Sequence, residues 1–349
     1  VRTTLPPPRA KWASFAGSAE ADHHKRQRRI IDPAFEGGRL RQNFPAIWAA
    51  GEAAIARIVP DRVLEVEEFM HHAAADVIFR TLFSIPIDDV IASRVYQAFR
   101  TFQRSQPLLN FAALIPLPKW FPRIYRPATR RSAATIRGLI QQLTESRAKA
   151  LAEGTAPDDL VSKIMRSTDP ETGEGFSPTE LVDQVTVFFL AGHETGAAGL
   201  AWALYLLASH PDVQDRVAAE VAGITPDFAI ISRLRLTRDV FREALRLYPP
   251  VPMFVRETAR AEVMRQRQIR PGAQIILSPW HLHRHEALWD RPDVFDPDRW
   301  QTEACRQSAR DGYLPFSAGP RVCPGAGFAM LEGTLLLAQL VQAFRFEVV

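Results

Sequence analysis

The residue with the clearest chemical potential is Cys323, which lies near the carboxyl end of the chain. It stands in the segment FSAGPRVCPG at 316–325, where two glycines and two prolines surround it, and an apolar helix is predicted to follow over Phe328–Phe344. In such a loop the backbone N–H groups and the helix dipole favour negative charge on the sulfur. A thiolate can bind a metal, whereas an isolated cysteine in a core is usually inert. Both interpretations remain open for this loop alone.

The most apolar predicted helix contains a polar segment, Ala191-Gly192-His193-Glu194-Thr195. The helix is predicted from Leu181 to about Ser209, and the preceding residues 177–180 (SPTE) match an N-cap followed by a capping box. It is apolar almost all round, which indicates a central buried helix. Gly192 and an unpaired Glu194 would each destabilise such a helix, the glycine by about 1 kcal/mol. A functional site would offset that cost, and so would a satisfied polar contact.

Composition limits what kind of protein this is. The 349 residues are 46% hydrophobic, which is enough for one large core or two medium ones and allows a cofactor to be enclosed. The net charge is only +4 and is not gathered into a basic tail, so nucleic acid is not expected as a partner. Cys305 and Cys323 are too few and too far apart for a disulfide framework, which favours a reducing compartment. We expect a soluble, cytoplasmic chain without a membrane segment or signal peptide.

Helical periodicity dominates the chain, and strand patterns are few and short. Amphipathic helices are predicted over Ile47–Val59, Thr129–Glu153 and Gln214–Val221. Strands are predicted at Val63–Val66, Gln274–Leu277 and Phe344–Val348. The expected fold class is therefore mainly α with small β-sheets.

The cysteine segment resembles the haem-binding signature of the cytochrome P-450 family, F-x-x-G-x-R-x-C-x-G. Phe316, Gly319, Arg321, Cys323 and Gly325 occupy the specified positions. The resemblance implies a soluble, bacterial-like haem-thiolate monooxygenase. It also implies that family's fold, in which haem lies between a long distal helix and a proximal cysteine loop.

Three further motifs follow the family's pattern. Residues 191–195 resemble the oxygen-activation segment of the distal helix, and the segment EALR that spans Glu243 and Arg246 resembles the E-x-x-R of the proximal helix. The segment FDPDRW at 295–300 resembles the meander, which supplies Arg299. Because Glu243 and Arg246 lie one helical turn apart, they can share hydrogen bonds with Arg299. We assign these three residues to a structural ion-pair network.

The resemblance implies haem b, iron protoporphyrin IX, as the cofactor and Cys323 as the axial ligand of its iron. Haem propionates need cationic donors. The expected donors are Arg321, Arg256 and the H-x-x-x-R pair His24 and Arg28, although on charge alone the basic cluster at 23–29 could equally be a solvated face. The other residues expected at the cofactor are members of the two motifs: Phe316, Gly325, Ala191 and Gly192.

The chemistry that the resemblance implies is activation of dioxygen with two electrons and hydroxylation of a small apolar organic substrate. Thr195 is expected to hydrogen-bond dioxygen, and Glu194 is expected to pass protons inward from solvent. Gly192 and Ala191 are expected to leave room for oxygen, and His193 to point away from the iron. Electrons are expected to come ultimately from NAD(P)H through a ferredoxin or flavodoxin-type redox partner.

Candidates for the substrate pocket follow from their offsets from Thr195 and Arg256: Val187, Phe188, Leu190, Met253 and Phe254. They would suit an apolar ligand such as a fatty acid, a terpenoid or an aromatic compound. Plain core packing explains the same residues equally well.

We predict one haem-thiolate monooxygenase domain over residues 1–349. Compared with the family, its N-terminal sheet region and C-terminal strands are expected to be incomplete. A second function therefore stays open, that of a non-catalytic or truncated haem-binding relative without turnover.

Overall fold

The computed structural model describes residues 21–35, 40–105 and 126–349. The α-helices in that part of the chain are Ala21–Phe35 (α1), Leu40–Ile55 (α2), Val66–Phe83 (α3), Val90–Ser105 (α4), Pro127–Ala152 (α5), Leu160–Arg166 (α6), Pro178–Ser209 (α7), Pro211–Val221 (α8), Arg235–Leu247 (α9), Pro279–Leu282 (α10), Glu303–Gly312 (α11) and Ala326–Ala343 (α12). Short 3-10 turns span Phe228–Ser232, Pro297–Gln301 and Gly319–Arg321.

The strands form two small antiparallel sheets. Phe254–Glu257 (β1) pairs with Gln274–Leu277 (β4), with Phe254 opposite Leu277, and Glu262–Met264 (β2) pairs with Arg267–Ile269 (β3). The fold is thus mainly α with small β-sheets, as predicted, and the predicted strand at 274–277 is confirmed.

The chain divides into two compact units. Of the described residues, those within Val1–Val59, Leu64–Ala197 and Gly327–Glu332 form one unit. Those within Pro60–Val63, Ala198–Ala326 and Gly333–Val349 form the other. In the first unit, the ring of Phe189 on α7 lies 5.0 Å from Phe79 of α3 and 5.7 Å from Phe99 of α4, centroid to centroid. These buried aromatic contacts join the three helices around one apolar core.

In the second unit, Phe241 of α9 packs against glycines on two other helices. A Cβ added at Gly199 of α7 would lie 3.4 Å from the ring, and a Cβ at Gly333 of α12 would overlap it. Phe241 is itself almost fully buried. The absence of side chains at these two glycines is what allows the helices to approach the ring.

The start of α7 follows the predicted capping box. Ser177 Oγ accepts the N–H of Glu180 at 3.3 Å, and Glu180 Oε2 accepts the N–H of Ser177 at 2.9 Å. Arg26 of α1 pairs with the same carboxylate at 3.2 Å. The helix then runs unbroken to Ser209, so the predicted long, buried helix is confirmed.

Two predicted strands are wrong. Val63 is exposed and Val66 begins α3, so this alternating segment is a helix approach rather than a strand. Residues 344–348 have no partner strand among the described residues. Instead, the N–H and the carbonyl of Phe346 bond to the side-chain amide of Gln214, at 2.8 and 2.9 Å. A side chain therefore supplies the hydrogen bonds that a neighbouring strand would otherwise make.

The helix α12 is long and apolar enough to cross a membrane by length and composition. Of its 18 residues, 67% are buried inside the protein. Core helices show the same composition.

Candidate active site

The loop before α12 presents the sulfur of Cys323 at the helix start. The residue is exposed, its N–H donates to the carbonyl of Phe316 at 2.9 Å, and α12 begins three residues later at Ala326. The loop turns at Gly319, whose φ of +73° suits a glycine. A Cβ on Gly325 would lie 3.9 Å from the sulfur, so this residue lies directly beside Cys323. The helix N-terminus provides a field that favours a negatively charged sulfur.

Two arginines lie beside this loop. Arg256 of β1 donates from Nη2 to Ser317 Oγ at 2.9 Å, which ties the strand to the loop. Burial, and then the charge of Arg256, lower the pKa of Arg321. Two neighbouring guanidinium groups of like charge form a place where carboxylate anions would be stabilised.

Glu243, Arg246 and Arg299 form the predicted triad geometry. Arg246 binds Glu243 through two hydrogen bonds of 2.8 and 2.9 Å, and Arg299 Nε donates to Glu243 Oε1 at 2.9 Å. The indole of Trp300 adds a fourth bond to this carboxylate at 3.1 Å, which sequence reasoning missed although Trp300 ends the same motif. All four side chains are buried. The N–H of Asp296 adds a fifth bond at 3.2 Å, so the carboxylate is fully satisfied in spite of its burial.

Arg246 and Arg299 also bind the backbone of the segment that precedes Arg299. Arg246 donates to the carbonyl groups of His283, Pro292 and Val294 at 2.8, 2.5 and 3.1 Å. Arg299 donates to the carbonyl of Asp290 at 2.6 Å. The triad therefore fixes an irregular segment onto α9, which supports the structural assignment.

In α7 the polar motif divides between two faces. Ala191, Glu194 and Thr195 are exposed, and Thr195 Oγ1 donates to the carbonyl of Ala191 at 2.7 Å. His193 is fully buried, where its ring lies 4.8 Å from that of Phe99. The two predicted catalytic side chains thus share an open face with Ala191, and His193 faces the core.

Gly192 of α7 packs closely against α3. A Cβ at this position would lie 2.8 Å from Ile78 Cδ1 of α3. The space that the glycine provides is therefore filled by Ile78, and the helix is continuous at this point. The glycine therefore allows α7 and α3 to pack closely, and its expected role in leaving room for oxygen stays a prediction.

His24 and Arg28 lie one turn apart on α1. His24 is buried, and Arg28 pairs with Asp32 of the same helix at 2.7 Å. The H-x-x-x-R pattern predicted that His24 and Arg28 share one helix face. It does not indicate that Arg28 pairs with Asp32. That pair fixes the orientation of the guanidinium.

The five pocket candidates do not share one environment. Val187 and Phe188 are buried, with the Phe188 ring 5.3 Å from that of Phe35, and Leu190 packs on Ala133. These contacts give the three α7 residues a packing role. In the other unit, Met253 and Phe254 differ: Met253 is exposed and Phe254 is half-buried.

Sequence reasoning missed one acidic residue. Glu332 is buried on α12, and burial raises its pKa to about 8. Its Oε1 has no hydrogen-bond partner among the described residues, and its carboxyl oxygens approach Gly196, the residue after Thr195. The signal was an acidic residue inside a predicted apolar helix.

Comparison with known proteins gives consistent matches. The family model named Cytochrome P450 matches residues 14–349. Cyclooctat-9-en-7-ol 5-monooxygenase of Streptomyces melanosporofaciens is 33% identical over 94% of this chain and 72% of that protein. Pentalenene oxygenase of Streptomyces avermitilis is 33% identical over 93% of this chain and 72% of that protein.

The solved structures that match are of the same kind. The crystal structure of the cytochrome P450DA heme domain superposes with a TM-score of 0.80 at 28% identity, and the match covers 94% of this chain and 72% of that one. The fold, the predicted family and the monooxygenase class of its relatives therefore agree. The chain belongs to the cytochrome P450 family.

Proposed function

We propose that this chain is a haem-thiolate monooxygenase in which Cys323 is the axial ligand of haem b and a small apolar organic substrate is hydroxylated. The family implies a haem cofactor and oxygen chemistry. The observation that carries the proposal is the exposed sulfur of Cys323 at the start of α12, with two guanidinium groups beside its loop. The other cysteine, Cys305, is buried beside Trp289 and Trp300.

The donor set fits the two chemical needs of the cofactor. A sulfur at a helix N-terminus suits a thiolate ligand, and Arg256 and Arg321 suit the propionates. His24 and Arg28 are proposed as further propionate donors, and Phe316, Gly325, Ala191 and Gly192 as cofactor contacts. When bound, a thiolate-ligated haem supplies dioxygen activation and oxygen transfer.

The protein's own part in the reaction is assigned to the open face of α7. We assign to the Thr195 hydroxyl the role of a hydrogen-bond donor: it now donates to the carbonyl of Ala191, and it would donate to dioxygen instead. We assign proton uptake from solvent to Glu194, because its carboxylate is exposed. Glu243, Arg246 and Arg299 keep the proximal segment in place without taking part in chemistry.

For the substrate, the proposal is a terpene-like molecule. The two Streptomyces relatives are named for oxygenation at a cyclooctatenol and at pentalenene. The five pocket candidates remain proposed lining residues. Of these, Met253 is exposed and Phe254 is half-buried, whereas Val187 and Phe188 are buried and Leu190 packs on Ala133.

We further propose that a ferredoxin or flavodoxin-type protein delivers electrons from NAD(P)H, and that the chain acts in the cytoplasm as one domain over 1–349. The cytoplasmic location is supported by the cysteine content, because Cys305 and Cys323 are too few for a disulfide framework.

The ligand assignment is tested by the absorption spectrum of the reduced protein with carbon monoxide. We expect a strongly red-shifted Soret band, its loss in Cys323→Ser, and its retention in the matched control Cys305→Ser. A band that survives Cys323→Ser would remove the assignment. A second candidate function, haem binding without turnover, is separated by substrate-dependent electron uptake. Product from a terpene panel supports the enzyme, and an intact band without any product supports the non-catalytic binder.

A further inference from the structure

A buried imidazole, that of His283, connects α9 to the segment that leads into the cysteine loop. The side chain is fully buried, and its ring lies 5.3 Å from that of Tyr313 and 6.4 Å from that of Trp289. Its Nδ1 lies 3.1 Å from the carbonyl oxygen of Arg246, and its Nε2 lies 2.8 Å from the backbone nitrogen of Leu314. Both ring nitrogens are thus engaged with backbone groups.

These partners fix the tautomer. The amide of Leu314 can only donate, so Nε2 of His283 accepts and carries no proton. The carbonyl of Arg246 can only accept, so Nδ1 carries the proton. An imidazolium has two donors and no acceptor, and could not receive the Leu314 N–H.

The bridge is anchored on both sides. Arg246 returns a hydrogen bond from Nη1 to the carbonyl of His283 at 2.8 Å, so these two residues are joined twice. On the other side, Leu314 lies two residues before Phe316, whose carbonyl accepts the N–H of Cys323 at 2.9 Å. The side-chain hydrogen bonds of His283, the short segment 314–316 and the bond from Cys323 to Phe316 therefore connect α9 to the cysteine.

We propose that His283 is a positioning residue for Cys323: its neutral ring, protonated at Nδ1, holds Leu314 to α9 and so fixes the entrance of the cysteine loop. This inference rests on the proposed function, in which Cys323 binds the haem iron. His283 itself touches neither the sulfur nor the substrate in this assignment.

Burial and the neighbouring positive charges keep the His283 ring neutral. Burial is the main cause that lowers the pKa of His283, to about 4, and the positive charges of Arg246 and Arg284 lower it further. Among the described residues, the other titratable group against the ring is the Tyr313 phenol, whose pKa burial raises, so it stays uncharged. Because the folded pKa lies below the ordinary value of 6.5, this contribution to stability is complete above pH 6.5 and is lost as the pH falls toward 4.

The test compares two amide variants in the haem-loaded protein. In His283→Asn the side chain can still donate to Arg246 but is too short to accept from Leu314, whereas in His283→Gln the longer amide can place its oxygen near the former Nε2. His285→Asn is the matched control, because His285 lies two residues further on, is exposed, and accepts the Ala287 N–H at 3.2 Å.

Two readouts are followed: hydrogen exchange of the Leu314 amide, and the conversion rate of the thiolate band of the reduced carbon monoxide complex to its thiol form. For His283→Asn we expect exchange to quicken by roughly tenfold or more, as loss of a buried hydrogen bond implies, and conversion to quicken at neutral pH. His283→Gln is expected to recover part of both. The proposal is overturned if both rates in His283→Asn stay within about twofold of those in the His285→Asn control. Loss of a hydrogen bond would change the rates by more than that.

Nitrogen chemical shifts of the unmodified protein keep the proposal testable if a variant does not fold. A proton on Nδ1 of His283 supports it, and a proton on Nε2 overturns it. Failure of the proposed function would give a different result, because the unmodified protein would then lack the thiolate band at neutral pH. Hydrogen exchange of the Leu314 amide and the nitrogen shifts of His283 would still test the bridge in that case.

Discussion

The carboxyl group of Glu332 lies against Gly196, with its two oxygens 3.3 and 3.4 Å from the point where a Cβ of that residue would stand. Only 2% of Glu332 is exposed, and one of its oxygens has no partner among the described residues. Burial alone accounts for the rise of its pKa from 4.5 to about 8. The group is therefore held as a neutral acid at pH 7.

This burial predicts how stability depends on pH. Between pH 4.5 and about 8 the unfolded chain has lost the Glu332 proton and the folded chain keeps it, so the free energy of unfolding should fall as the pH rises. One such group contributes up to about 1.4 kcal/mol per pH unit. Glu332→Gln, which is neutral at every pH, should flatten the slope in urea unfolding measured across this range. Equal slopes in the two proteins would contradict the pKa.

Replacement of Glu243, the acidic member of the triad, should lower the free energy of unfolding. Glu243→Gln leaves Arg246 and Arg299 buried without their shared negative charge, and removal of one partner from a buried ion pair costs about 3–5 kcal/mol. We expect that loss in urea unfolding, together with weaker haem retention. Glu303→Gln removes an exposed pair with Arg306 and should change stability by less than about 1 kcal/mol. Similar losses in both variants would show that the network is not the cause.

The hydroxyl of Thr195 should matter for coupling rather than for folding. In Thr195→Ala the exposed residue loses only a bond to the Ala191 carbonyl, so stability should change by about 1 kcal/mol or less. Product formed per electron consumed should fall, by roughly tenfold, because the variant lacks the hydrogen bond assigned to this hydroxyl. Thr195→Ser keeps the hydroxyl and should keep most of the product yield. Full coupling in the alanine variant would remove Thr195 from the mechanism.

Helix packing at Phe241 should tolerate no added methyl group at Gly333. Gly333→Ala would force a Cβ into the ring, and overpacking of this kind typically costs about 1–3 kcal/mol. Gly138→Ala on α5 is the control, since nothing lies within 4 Å of the added Cβ, and it should stabilise the helix by roughly 0.5–1 kcal/mol. Thermal unfolding of the two variants should therefore shift in opposite directions. A stabilised Gly333→Ala would mean that Phe241 can move aside.

Several features of the fold and of the site could be predicted because they depend on residues close together in the sequence. The capping box of Ser177 and Glu180 specifies the start of α7 through hydrogen bonds three residues apart, and the apolar composition specifies its burial. Likewise the spacing of Glu243 and Arg246 places both on one helix face. Sequence motifs of this kind carry their geometry with them.

The missed features depend on partners far away in the sequence. Nothing near Phe346 shows that Gln214 will satisfy its backbone and replace a strand, and nothing near Gly192 shows that Ile78 will fill its space. His283 gave no sign of its bridge, because its two partners lie 37 and 31 residues away. Such contacts are set by tertiary packing, which periodicity does not encode.

Because Phe241 contacts both Gly199 and Gly333, we expect substitutions at these three positions to depend on one another. A relative that carries a larger residue at either glycine is expected to carry a smaller one in place of the phenylalanine, since the same volume cannot be occupied twice. Aligned relatives should therefore show compensating exchanges at these three sites, although each lies on a different helix.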